Sequence, residues 1–308
     1  MKPVRYGFFL FVCFFVINAV FISILFIVSK VLGLTFIYQL ILLLLAVAAG
    51  ALFCAYLVLS SAPVLKNYLS NLRTLYRLDN LSHPLLLKLS SSAYGTYNHS
   101  INVANLAYKA AKAIKADALQ VRVGGYFHDI GKISAPERFS ENQNKENIHE
   151  NMEDPRASAK MVIQHIKDGV ALAKEYNLPA EIVDFIPQHH GTLPVSSFLQ
   201  VAKNKKMKIK KEDFYYPGPR PLNRETALVM LSDSIEATVR SQDNLTPAKI
   251  KELITAIIDE REKNGQLQYS GLTPTDVGKI KKAFFIGCQG IFHQRIKYPQ
   301  PVLAEEKK

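Results

Sequence analysis

The chain is poor in cysteine, with three in 308 residues (Cys13, Cys54 and Cys288) and no CxxC pair. Cys13 and Cys54 lie in apolar runs and Cys288 in an apolar helical stretch, so no extracellular pairing pattern arises and the soluble part is expected in a reducing compartment. The same scarcity argues against a structural zinc site. No internal repeat is present, and no stretch alternates apolar and polar residues as a half-buried strand does. An all-α fold is therefore expected. Acidic residues are also short in number: 38 Lys and Arg against 26 Asp and Glu give a net charge of +12. That balance suits a protein held against an anionic leaflet, or one that handles a phosphorylated substrate.

Charge is missing altogether from two apolar runs near the N-terminus, Gly7 to Ser29 and Phe36 to Leu59, separated by "KVLGLT". Each is long enough to cross a bilayer as a helix. The first exceeds the roughly 7–15 apolar residues of a signal peptide, and a second follows at once, so a transmembrane helical hairpin over 1–62 is expected. Lys2 and Arg5 precede it and Lys66, Arg73, Arg77 and Lys88 follow it, whereas the connecting loop has only Lys30 at its edge. Both termini are therefore expected on the cytoplasmic side. Residues 63–95, with leucines at three- and four-residue steps, read as a juxtamembrane helical connector.

Residues 96–308 are helical by pattern. Ile101, Val103, Leu106, Ala107, Ala110 and Ile114 mark one helix, and Leu119 to Asp129 a second. Asp154, Thr246 and Thr273 each stand before a proline, the arrangement of an N-cap with proline at the first helical position. They predict helices over 155–176, 247–264 and 274–296, the second stopped by Gly265. Another helix is expected over 222–240, capped at Asn223. One more runs from Pro179 to the His189–His190 pair, kinked by Pro187. The polar stretches 137–154 and 203–221 read as loops, the lysine run in the latter as a solvated segment.

The stretch "RVGGYFHDIGK" sets His128 beside Asp129 with Lys132 three residues on. A lone HD pair means little, but His99, His165, His189, His190 and Asp233 fall on the neighbouring helices. Five histidines and two carboxylates suit iron or manganese. Seven ligands fit two ions: with Asp129 as a bridge, one takes His99, His128 and Asp233, the other His165, His189 and His190. Such a pair can hold a hydroxide and clamp a phosphate for in-line attack, the chemistry of a phosphodiesterase.

At these residues the sequence resembles the HD-domain phosphohydrolases, and among them the cytoplasmic domain of the seven-transmembrane HD family of cyclic-di-AMP phosphodiesterases. The resemblance covers about residues 72–300 through "LDNLSHPLL", "GTYNHSINVANLA", "GYFHDIGK", "HIKDGVALAKEYNLP", "DFIPQHHGT", "YYPGPRP" and "LSDSIEATVRS". It implies an HD-domain helical bundle, a dinuclear ligand set at the seven positions above, and hydrolysis of cyclic di-AMP to linear pApA. The HD-GYP type of cyclic-di-GMP phosphodiesterase fits less well, since Gly191 rather than glutamate follows His190 and the later turn reads "YPGP". Adenine is the base this implies. Family members usually carry seven membrane spans and a large extracellular region, whereas two spans are visible here.

Beyond the metal ligands, Lys132 is expected to neutralise a phosphate oxygen, and Gly191, Thr192 and Tyr216, with Tyr215, to face the substrate. Arg240 either meets substrate or braces the fold; His83 and His293 read as structural, and His149 is not counted as a ligand. The alternatives are a phosphohydrolase for cyclic di-GMP or a nucleoside phosphate, and a membrane-tethered nucleotide receptor without turnover. The full ligand set speaks against the receptor. Expected partners are cyclic di-AMP and, through the two spans, lipid of a bacterial cell membrane. No DNA or RNA polymer is expected, and a homodimer is left open.

Overall fold

The computed structural model describes residues 16, 19–33, 35–143, 148, 149, 153–242 and 245–291. Lys2, Arg5, Cys13, His293, the first part of the first apolar run and the end of the helix expected over 274–296 lie outside them. Every regular element among the described residues is helical; the one β feature is an isolated bridge between Pro194 and Tyr215.

The chain divides into two compact units, up to Thr74 and from Leu75 onward. In the first, a short apolar helix α1 (Ala19–Val31) precedes a turn at Gly33 and the 43-residue helix α2 (Phe36–Leu78). α2 is long and apolar enough to cross a membrane, and only 6% of its apolar window is buried, unlike the core helix of a globular domain. At 1.5 Å per residue it measures about 65 Å, twice a bilayer's hydrocarbon thickness, so only the stretch from Phe36 to Leu59 matches a span. Into the helical connector expected over residues 63–95, α2 continues unbroken through Pro63 to Leu78, with the Ser60 and Ser61 hydroxyls bonded back to the Leu57 and Val58 carbonyls. The break comes at Asp79 to Ser82, before α3 (Pro84–Ser92), where His83 caps the helix by accepting from the Leu85 N–H.

The second unit is built around α4 (Tyr94–Ile114), which packs against α3, α5 (Ala118–Phe127), α11 (Arg224–Arg240) and α13 (Pro274–Ile291). Val103, Leu106, Ala107 and Ala110 of α4 are completely buried, at the three- and four-residue spacing the sequence showed. α5 approaches so closely that a Cβ on Gly125 would lie 2.6 Å from the Ala104 Cα. Phe127, Phe185 and Phe284 fill the same core, each contributing roughly 1.5–3 kcal/mol by burial.

The caps act as expected: Asp154 accepts from the Arg156 N–H before α6 (Pro155–Glu175), Asn223 from Thr226 before α11, and Thr246 from Lys249 before α12 (Pro247–Lys263). The helix expected from Pro179 is two short pieces, α7 (Ala180–Val183) and α8 (Phe185–Gln188). Proline clashes with the carbonyl four residues earlier; for Pro187 that is Val183, where α7 stops. The second helix ends at Phe127 rather than Asp129, and the chain tightens into a 3-10 segment, Ile130–Ser134. Two regions read as loop contain short helical turns: Pro136–Arg138 and Ser140–Asn142 in one, and α10 (Lys211–Phe214), after α9 (Ser196–Asn204), in the other. Phe214 of α10 is fully buried against Ala159, Leu199 and Ala202.

Candidate metal centre

All seven sequence-nominated His and Asp residues meet in one place. One ligand atom from each of Asp129, His165, His189 and His190 lies within 4.8 Å of the others, and the same holds for His99, His128 and Asp129. Asp129, at the turn between α5 and the 3-10 segment, is 1% exposed and divides its oxygens between the groups. Its Oδ1 lies 3.4 Å from His165 Nε2 and 3.5 Å from His189 Nε2. Its Oδ2 lies 3.3 Å from His128 Nε2 and 3.8 Å from His99 Nε2. Asp233, in the middle of α11, reaches His99 Nε2 at 3.0 Å and His190 Nδ1 at 3.7 Å.

The tautomers follow from backbone geometry. His128, His165 and His189 each donate from Nδ1 to a carbonyl three residues earlier: Gly125 at 2.8 Å, Val162 at 2.6 Å and Ile186 at 2.7 Å. A carbonyl only accepts, so the proton is on Nδ1 and each Nε2 presents a lone pair. Those three Nε2 atoms and Asp129 Oδ1 are buried without a hydrogen-bond partner among the described residues. Four orphaned acceptors converging from three separate stretches of the chain are costly unless a cation completes them, so the donor set is compatible with a divalent metal site.

Charge agrees with that reading. Burial alone would raise Asp129, but the Lys132 ammonium, 2.8 Å from Oδ2, outweighs it and holds the carboxyl well below the usual carboxylate range. Asp233 is likewise driven below that range, burial being overcome by its hydrogen bond with His99. Burial pushes His165 down to about 4 and His190 well below its ordinary value. For His99 burial is outweighed by the hydrogen bonds to Asp233 and Glu236, which pull it up to about 10. Ionised carboxylates and neutral imidazoles are the states that bind metal, which Asp129, Asp233, His165 and His190 already hold; His99, charged between Asp233 and Glu236, would give up its Nε2 proton to an ion.

Lys132 is inside the site. Besides Asp129 it pairs with Glu141 at 2.7 Å and lies 4.8 Å from the centre of the Phe139 ring. It lines a cavity of about 610 Å³ together with His99, His165, His190, Tyr216 and Asp233. Tyr216 stacks on His190 with ring centroids 4.1 Å apart, and is itself buried. Thr192 is engaged by Gln266, whose Oε1 accepts from its N–H at 3.1 Å, and by Arg220 Nε at 3.2 Å. Thr192, Tyr215 and Tyr216 line a second cavity of about 800 Å³. Gly191 lines neither; it holds the left-handed turn after His190 at φ 52, where a Cβ would lie 2.5 Å from Gln266 Oε1. Arg240 is ion-paired with Glu236. His83 packs edge-on against Phe127, and His149 bonds the Arg138 carbonyl, outside the cluster.

Sequence reasoning missed Glu236 and Glu141. Glu236 is fully buried, takes a 2.5 Å hydrogen bond from His99 Nδ1 and accepts from Asn102 at 3.1 Å. Its signal was available: three residues after Asp233 and four before Arg240, it shares a helix face with both. Glu141 gave no such signal, because it sits in an aperiodic stretch.

The HD domain family matches residues 96–238. The chain is 42% identical over 233 residues to the cyclic-di-AMP phosphodiesterase PgpH of Bacillus subtilis, covering 75% of this chain and 32% of that protein. It is 42% identical over 226 residues to the PgpH of Listeria monocytogenes, covering 73% of this chain and 31% of that one. The chain thus spans about a third of the length of these curated relatives. The crystal structure of the L. monocytogenes PgpH HD domain in complex with cyclic-di-AMP superposes with a TM-score of 0.66 at 42% identity, covering 70% of this chain and 100% of that one. With 42% identity over the whole of a solved PgpH HD domain and an HD-domain match over residues 96–238, the chain belongs to the HD-domain family, in the group of the PgpH HD domain.

Proposed function

We propose that the protein is a membrane-anchored, metal-dependent phosphodiesterase that hydrolyses cyclic di-AMP to linear pApA. The observation that carries this reading is the divided carboxylate of Asp129, each oxygen facing two imidazole Nε2 atoms at 3.3–3.8 Å. Two divalent ions, iron or manganese, would be held by His99, His128 and Asp233 on one side and by His165, His189 and His190 on the other, with Asp129 shared. The ions would supply an activated water and offset charge on the phosphate. The bound cyclic-di-AMP of the Listeria domain supports the choice of substrate.

The chain's own groups do the rest. Backbone carbonyls lock three imidazoles with Nε2 toward the phosphate site, and Glu236 fixes His99 through its Nδ1 proton. Lys132 keeps Asp129 ionised; two of its three donors serve Asp129 and Glu141, and the third is directed to a phosphate oxygen. Water oxygen bonds to phosphorus as the bond to the 3′-oxygen breaks, leaving a 5′-phosphate and a 3′-hydroxyl. Tyr216 lines both cavities and Thr192 the second, which supports their assignment as substrate contacts, while Gly191 acts through the turn it permits.

Turnover of the purified protein with cyclic di-AMP and cyclic di-GMP, each with manganese and with iron, tests the reading. Cyclic di-AMP is expected to be preferred at least about tenfold, or ~1.4 kcal/mol. Equal or better turnover of cyclic di-GMP would overturn the substrate assignment and keep the phosphodiesterase.

A further inference from the structure

The catalytic cavity extends beyond the histidines. It runs as one space from His99, His190 and Lys132 along α11 to Arg240 and, on α12, to Arg261. The two guanidinium groups at that far end differ in what already holds them. Arg240 is paired with Glu236, a fully buried carboxylate, so its charge is cancelled within the protein. The Arg261 side chain is only 14% exposed, yet its partners are weak. Its Nη2 donates to the neutral Ser234 hydroxyl at 3.1 Å. Its Nη1 pairs at 2.8 Å with Glu260, a side chain 56% exposed to water, where an ion pair contributes at most about 1 kcal/mol. Its Nε is buried and has no partner among the described residues. A guanidinium has five N–H donors in a fixed fork. A largely buried cation with more donors than partners is costly, and its fork matches phosphate.

We infer that Arg261 binds the second phosphodiester of the cyclic dinucleotide, the one that is not cleaved. This rests on the phosphodiesterase reading above. Such a substrate carries two phosphodiesters in one ring, so while one sits among His99, Asp129 and Lys132, the other lies further along the same cavity. Arg261 is anchored there through Ser234, the residue next to Asp233. Phosphate is common to every base, so this contact selects a cyclic dinucleotide over a single phosphodiester and leaves base choice to other groups. The linkage it holds persists in the linear product.

The test uses Arg261→Gln and Arg261→Lys in the full chain, with cyclic di-AMP, cyclic di-GMP and bis(4-nitrophenyl) phosphate, which has one phosphodiester. Thermal melting and metal content serve as controls. A residue that contributes binding alone should raise KM and spare kcat, so Arg261→Gln is expected to raise KM for both cyclic dinucleotides at least about tenfold with kcat within about threefold. Kinetics on bis(4-nitrophenyl) phosphate should match wild type. Arg261→Lys keeps the charge but loses the fork; it should show a smaller rise confined to the dinucleotides, and it decides the matter if the glutamine variant does not fold. An unchanged KM for the dinucleotides, or an equal loss on the single-phosphate probe, would overturn the inference while an active wild type keeps the phosphodiesterase. A wild type that cleaves only the single-phosphate probe would remove the reading beneath it.

Discussion

Asp129 is the residue on which both halves of the cluster depend, because each of its oxygens serves a different set of histidines. Asp129→Asn keeps the volume and removes the charge. Outer-shell partners of metal ligands already account for 10–100-fold effects, so this variant is expected to lose at least about a hundredfold in turnover and to retain less of both metals. Metal analysis beside far-UV circular dichroism checks it; full activity with full metal content would end the dinuclear reading. The histidines also make a pH prediction for the metal-free protein. His165 falls from 6.5 to about 4 on folding, so the unfolded chain binds the extra proton between those values and stability drops as pH falls through that window. His99 rises from 6.5 to about 10, so its contribution is complete below 6.5 and is lost as pH climbs toward 10. Together these two set a stability maximum near pH 6.5, measurable by urea denaturation of chelator-treated protein across pH 4–10. A flat profile would contradict the buried placement of both rings.

At the scale of elements, the site depends on a close approach between the 3-10 segment and α6. A Cβ on Gly131 would lie 1.9 Å from the His165 carbonyl and 2.5 Å from the Gly169 N, both backbone atoms. Gly131→Ala therefore has to push His165 away from Asp129. It is expected to destabilise the fold by about 1–3 kcal/mol and to lower metal retention, measured by melting temperature and metal content. Element identity was legible where periodicity marked a helix, as in α4, or a cap began one, as in α6, α11 and α12, and the seven ligand candidates were legible because each of the five expected helices carried at least one imidazole or carboxylate. What was not legible is the extension of α2 past Pro63, a residue that ordinarily ends a helix, and the pairing of Glu141 with Lys132, because Glu141 lies in an aperiodic stretch.

For the whole molecule, the charge distribution around the apolar runs makes the remaining prediction. A reporter fused at residue 33 is expected outside the cell and one after residue 308 in the cytoplasm, since Lys66, Arg73 and Arg77 follow the apolar half of α2. A C-terminal reporter found outside would contradict both the charge rule and access to an intracellular dinucleotide. The three imidazoles tethered to their own backbone carbonyls have a different consequence. Each ring is aimed by its own element, so the only variable left is whether those elements have come together in the right order. Titrated metal stoichiometry is then a head count of correctly assembled chains, readable in a crude preparation without any substrate and independent of how fast those chains work.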